Sequence, residues 1–282
     1  MVINVMKIVK DTKDLNKILE NLRIKNTKIG LVPTMGSIHK GHLSLINEAK
    51  KLNCFSIVSI FINPTQFNNI NDFNEYPQNS LEDIEMLKKI NCDALFFPKT
   101  KDMYPKGLTK QKTIFEFRNI LCDKFRPGHF DGVTTVVNKL FSLIKPDVAF
   151  FGEKDFQQLK IVEKIVINNK LPIKIHPCPS IKLKNGMSYS SRYKNFTSNQ
   201  KNIFNKIANR INFNVYLLTK KIDLNILNIL NQEILEIGAR NIEYLEVRTE
   251  DSLVITNNNK KARLFVAFNI DQIRVIDNFV LY

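Results

Sequence analysis

The chain has 282 residues, 44% hydrophobic and 24% charged, a globular composition that excludes a disordered or fibrous polypeptide. Its formal net charge of +15 raises nucleic acid or an anionic surface as a partner. Lysine supplies most of that charge, dispersed in nothing longer than doublets such as Lys50-Lys51, Lys88-Lys89 and Lys220-Lys221. A solvated lysine-rich surface is therefore the favoured reading and a nucleic-acid footprint the second.

The run Lys28-Ile29-Gly30-Leu31-Val32 reads as a buried strand ended by Pro33. A helix follows over 41–52, with Leu43, Ile46 and Ala49 on one face. A β-branched and aromatic run over 55–62 stops at Asn63-Pro64. Ser80 then reads as a helix cap, with Asp83 placed for a capping box and Leu81, Ile84 and Leu87 facing inward. Strands are expected over 93–97 and 113–117, and the spacing of Val133, Val136, Val137, Leu140, Phe141 and Ile144 predicts a helix. A strand over 148–151 closed by Gly152, a helix over 155–167 and a short strand Lys174-Ile175-His176 complete the alternation. Such alternation predicts an α/β fold, a Rossmann-like doubly wound parallel sheet. After about residue 178 two helices (198–220 and 224–237) precede three strand-like runs (242–247, 262–268 and 273–280). That order predicts a second, smaller α+β domain carrying an antiparallel sheet, with the chain divided as 1–177 and 178–282.

Cys54, Cys92, Cys122 and Cys178 are far apart and contain no C-x-x-C pair, which argues against a disulfide scaffold or a zinc site. The N-terminal segment lacks a signal-peptide apolar block, and no apolar stretch approaches the roughly 20 residues that span a bilayer. A cytoplasmic protein with no membrane partner is expected.

Open parallel sheets bind ligands beyond the carboxyl ends of their strands. Three polar segments fall there: Pro33-Thr34-Met35-Gly36-Ser37-Ile38-His39-Lys40-Gly41-His42, Asn63-Pro64-Thr65-Gln66-Phe67 and Gly152-Glu153-Lys154-Asp155-Phe156-Gln157-Gln158. His39 and His42 lie three apart at a helix start, where free N–H groups and a partial positive charge suit a phosphate. Two imidazoles there can donate to charge growing on a phosphoryl oxygen. The bland alternative is one histidine as a helix cap and the other packed on the surface. Zinc ranks below both, because no third ligand lies at zinc spacing. Lys154-Asp155 reads either as a surface ion pair or, at a strand's end, as a functional cation. Gln66 and Gln158 donate and accept at every pH, which suits a substrate bearing hydroxyl and carboxylate groups. Ser190-Ser191-Arg192 reads as a polyphosphate clamp or as an ordinary polar turn.

The strings P-T-M-G-S-I-H-K-G-H, S-I-F-I-N-P-T-Q-F, F-R-P-G-H-F-D-G-V, F-G-E-K-D-F-Q-Q-L and S-S-R occur in that order. Together they resemble the pantothenate synthetases, the pantoate–β-alanine ligases, over essentially the whole chain down to Ile276-Asp277-Asn278. H-x-G-H alone implies only the wider nucleotidyltransferase-like group, and an RNA-binding protein would need clustered cations and exposed aromatic platforms.

The resemblance implies an ATP-dependent ligase that condenses (R)-pantoate with β-alanine through pantoyl adenylate, releasing AMP and pyrophosphate. It implies catalytic roles for His42, His39, Lys154 and Arg192. ATP contacts are implied at Met35, Gly36, Ser37, Ile38, Lys40 and Gly41, at Gly152, Glu153 and Asp155, and at Ile181, Tyr189, Ser190 and Ser191. Gln66 and Gln158, with Asn63 and Arg126, are implied to serve pantoate and β-alanine. No protein metal site is implied; Mg²⁺ would be held mainly through the ATP phosphates. A homodimer that binds small molecules and no nucleic acid is expected, its second domain closing as a lid over a water-sensitive adenylate. Tyr189, Tyr193 and Lys182 depart from the residues usual in the family.

Overall fold

In the computed structural model, residues 5–67, 73, 76, 79–108 and 116–282 are described. The chain forms two compact units. The first comprises Met1–Arg118, Arg126–Glu153 and Gln158–Pro179; the second comprises Asn119–Phe125, Lys154–Gln157 and Ser180–Tyr282.

The first unit is built on β1 (Lys7–Val9), β2 (Ile29–Thr34), β3 (Phe55–Ile60), β4 (Ala94–Phe96), β5 (Val148–Gly152) and β6 (Lys174–Cys178). They lie in the order β1-β4-β3-β2-β5-β6, and every pair is parallel. The helices are α1 (Thr12–Ile24), α2 (Lys40–Lys51), α3 (Ser80–Lys89), α4 (Thr100–Met103), α5 (Leu121–Phe125, of the second unit), α6 (His129–Ile144) and α7 (Phe156–Asn168). The central strands are buried almost without interruption, as a sheet covered on both faces requires. Val32, Ile46, Val58, Leu95 and Phe150 pack in its core. Strand order reverses between β2 and β5, the switch point where a doubly wound sheet opens a crevice at its carboxyl ends.

The second unit contains α8 (Ser198–Lys220), α9 (Leu224–Ile237) and an antiparallel sheet of β7 (Asn241–Thr249), β8 (Ala262–Ile270) and β9 (Ile273–Val280). Thr197 and Gln200 form a capping box at the start of α8. Phe204, Ile207 and Ile211 of α8 join Leu230 of α9 and Leu264 and Phe268 of β8 in one core. This is the Rossmann-like sheet with a separate three-stranded antiparallel sheet expected from the pattern.

Several local expectations are corrected. Pro33 continues β2: beyond Leu31 the β5 side of the strand is unpaired, so a residue without an N–H fits. Pro177 is accepted in β6 because that strand is an edge. The cap of α3 is Asn79, without a side-chain cap bond, and Leu81 is 80% exposed. Leu87 is buried and Ile84 packs against the core as expected, and the buried Asp83 joins them on the inner face of α3. β1 and α1 add an edge strand and a helix, capped by Asp11, that periodicity did not single out. Of the strand expected over 113–117, residues 113–115 lie outside the described residues, and 116–117 form a turn.

Candidate active site

The loop leaving β2 is held from below. Asp83 accepts hydrogen bonds from the backbone N–H groups of Ser37 (2.8 Å) and Ile38 (2.6 Å). Gly36 sits at φ +84°, where its missing Cβ leaves Asp83 room to approach. The loop then enters α2. His39 is the cap of that helix: its Nδ1 accepts from the Gly41 N–H at 3.1 Å, which places the proton of the neutral ring on Nε2. A Cβ on Gly41 would stand 2.9 Å from the His39 ring, so only glycine admits this cap. The rings of His39 and His42 stack with centroids 4.0 Å apart. Capping and juxtaposition with the second imidazole therefore coexist.

A second polar cluster follows β3. Asn63 is fully buried. Its Oδ1 accepts from the Thr65 N–H and hydroxyl and from Tyr104, and its Nδ2 donates to Gln66 Oε1 (3.1 Å) and the Gly132 carbonyl (3.0 Å). Burial pushes the Tyr104 phenol up, which keeps it a donor. Gln66 Nε2 in turn donates to the Met35 sulfur, joining this cluster to the β2 loop. Gly132 is essential to the arrangement, since a Cβ there would stand 2.3 Å from the Thr65 carbonyl oxygen. Arg126 donates to His129 Nε2 at 3.2 Å, and His129 Nδ1 donates to the Gln66 carbonyl at 2.8 Å. Arg126 thus reaches Gln66 through His129, within the first unit.

Gly152 ends β5, Glu153 opens the short turn Glu153–Asp155 that follows, and Gln158 is half-buried in α7. Gln157, its neighbour, is buried and differently employed: it accepts from the Cys122 N–H and donates to the Ile120 carbonyl. The second unit carries the remaining candidates. Lys154 lies 3.4 Å from the exposed carboxylate of Asp155. Residues 181–189 form a hairpin, closed by the Tyr189 N–H donating to the Ile181 carbonyl and turned at Gly186. Ser190 caps the short turn Ser191–Asn195, its hydroxyl accepting from the Arg192 N–H. Lys182 donates to Asp277 at 3.0 Å and lies over the Phe279 ring. Tyr193 packs against Phe196 and Phe204.

The sequence reading missed Asp83 as the loop's anchor, and Tyr104, His129 and Gly132 as the frame of Gln66. His129 and Gly132 stand inside the F-R-P-G-H-F-D-G-V string, a signal that was available. Asp83 had one too, since a carboxylate on a helix's inner face needs buried donors.

The sequence pattern of the family described as pantoate-beta-alanine ligase matches residues 7–280. The chain belongs to the pantoate–β-alanine ligase family. Its activity is the ATP-dependent ligation of pantoate to β-alanine. A pantothenate synthetase of Francisella tularensis subsp. novicida is 42% identical over 276 residues, covering 98% of this chain and 97% of that one. A crystal structure of pantoate-beta-alanine ligase from Francisella tularensis, complexed with beta-gamma ATP and beta-alanine, matches with TM-score 0.85 and 41% identity, covering 98% of each chain. That of a pantothenate synthetase from Thermus thermophilus gives TM-score 0.90 at 29% identity, covering 98% of this chain and all of that one. Among the described residues of this pantoate–β-alanine ligase family member, no helix is long and apolar enough to cross a membrane.

Proposed function

We propose that the ligation proceeds through pantoyl adenylate. The pantoate carboxylate, held by Gln66 and Gln158, attacks the α-phosphorus of ATP and expels pyrophosphate. The β-alanine amine then attacks the acyl carbon, and AMP leaves with the carboxylate oxygen that joined phosphorus. The observation that carries this reading is the stacked His39–His42 pair at the N-terminus of α2. An Nε2–H donor on His39 and the positive end of a helix suit charge growing on a phosphate. Met35, Gly36, Ser37, Ile38, Lys40 and Gly41 form the rest of that nucleotide loop, and Gly152, Glu153, Asp155, Ile181 and Tyr189 supply further nucleotide contacts.

His42 acts as the proton-donating group, with His39 and Lys154 offsetting charge on the α-phosphate. Arg192, with the hydroxyls of Ser190 and Ser191, holds the leaving pyrophosphate. Catalysis is then positioning and electrostatics, with no protein nucleophile. Asn63 and Arg126 position Gln66, a role supported by the hydrogen bonds from Asn63 to its side chain and from His129 to its carbonyl. Among the described residues no three His, Cys, Asp or Glu side chains converge on a metal position, which fits a Mg²⁺ carried by the phosphate oxygens. That ion, when bound, neutralises phosphate charge. A cytoplasmic homodimer belongs to the same proposal.

The test is AMP release from ATP. It should require pantoate and β-alanine together; AMP formed without β-alanine, or never formed, defeats the reading.

A further inference from the structure

The second unit buries a polar pair, Asp277 and Asn278, each 3% exposed, that has no part in the chemistry above. The Asp277 carboxylate accepts four hydrogen bonds. Two come from Ser188, through its N–H (2.6 Å) and its hydroxyl (2.6 Å); the others come from Lys182 (3.0 Å) and the Asn278 N–H (2.8 Å). Lys182 and Ser188 face each other across the hairpin that leads directly into Ser190, Ser191 and Arg192. Asn278 grips a different segment: its Nδ2 donates to the Lys154 carbonyl at 3.0 Å. Its Oδ1 accepts from Arg263 at 2.8 Å, and the Arg263 guanidinium lies 4.3 Å above the Phe156 ring, two residues beyond Lys154. Adjacent residues of one strand, β9, therefore hold the backbones that carry two cations far apart in sequence.

We propose that Asp277 and Asn278 form one positioning device that fixes Lys154 and Arg192 relative to each other along the nucleotide's phosphate chain. The proposal rests on the reading of those two cations as phosphate contacts. A buried carboxylate is a costly way to hold a strand in a sheet, where apolar side chains would serve at least as well. Its use is geometric. Four donors on one planar group fix the hairpin's end in position and orientation, and the amide beside it does the same for the Lys154 carbonyl. A reaction driven by positioning gains from such a frame, because a misplaced cation loses rate without losing the fold. Lys182 takes part by pairing with Asp277, so this departure from the family's usual residue serves the frame.

Two variants separate the two arms. Ser188→Ala deletes one hydrogen bond to Asp277 and nothing else in the pair. It should raise the KM for ATP in pantoate-dependent pyrophosphate exchange roughly tenfold, the scale of one hydrogen bond to a charged group. AMP release from added pantoyl adenylate and β-alanine should not change, because that step contains no pyrophosphate. Asn278→Asp keeps the acceptor for Arg263 but sets an acceptor against the Lys154 carbonyl. It should slow both half-reactions about tenfold, since the α-phosphate is present in each, with little change in the KM for ATP. Equal losses in every assay for both variants would indicate a structural role only and overturn the proposal. Wild-type rates in both folded variants, checked by circular dichroism, overturn it too. A wild-type protein that performs neither half-reaction would instead defeat the ligase reading.

Discussion

Two segments of this chain are read as handling phosphate, and they are built in opposite ways. The β2 loop takes its form from nearby chain: a left-handed Gly36, a His39 cap and a Gly41 that admits the ring, all within six residues. From farther along the chain, Asp83 places a single carboxylate beneath two N–H groups. Residues 188–192 have a local hairpin bond, a bridge and a serine cap, but no long helix behind them. Their hairpin is anchored by Asp277, 89 residues from Ser188, and by Lys182, which is bound to the same carboxylate. A loop at a helix N-terminus inherits donors and a dipole from the helix, so little else is needed. A cationic hairpin lacks that helix, and a carboxylate from a distant strand completes its support.

Substitutions in the first unit should show how local that region is. His42→Ala removes a donor from the stacked pair and should lower the rate of pyrophosphate exchange by about 10²–10³, with the unfolding midpoint unchanged. Near-wild-type exchange would remove His42 from the chemistry. Asp83→Ala strips two buried N–H groups of their acceptor, so stability should fall by about 3 kcal/mol in urea titration, with adenylation falling alongside. If stability holds, the loop is self-supporting and the contrast between the regions is stronger still. Gly132→Ala drives a methyl into the Thr65 carbonyl; the cost should be about 1–3 kcal/mol, together with a higher KM for pantoate as Gln66 shifts. An unchanged KM would separate Gly132 from the substrate.

The smallest effect concerns the core beneath these loops. Burial pushes the Cys92 thiol to about 11 and the Cys178 thiol to about 12. Both lie above the unfolded value of 9.0, so their contribution is intact below pH 9 and is lost as pH rises towards 11–12. Urea midpoints should therefore decline above pH 9, and more shallowly in a Cys92→Ala/Cys178→Ala variant. Identical slopes in the two proteins would contradict this.

The same contrast explains what could be read in advance. The alternation of the longer elements from β2 onward, both helices of the second unit and the H-x-G-H loop between strand and helix were legible because hydrophobic period and glycine placement are local signals. Spacing alone makes Asp83 a helix-cap residue, because its real partners lie 45 and 46 residues away. Asn63 stood on a motif, yet its role as the frame of Gln66 depends on Tyr104 and Gly132, which spacing alone does not bring together. Asp277 and Asn278 appeared only as the end of a family string. Long-range side-chain bonds carry no period, so the second unit's polar frame needed coordinates.

The adenylate pathway is tested most directly by isotope. Pantoate labelled with ¹⁸O in both carboxylate oxygens should deliver one ¹⁸O to AMP at each turnover and retain the other in the amide of the product. Label in inorganic phosphate, or AMP free of label while product forms, would contradict attack at the α-phosphorus and with it the roles given to His39, His42 and Lys154.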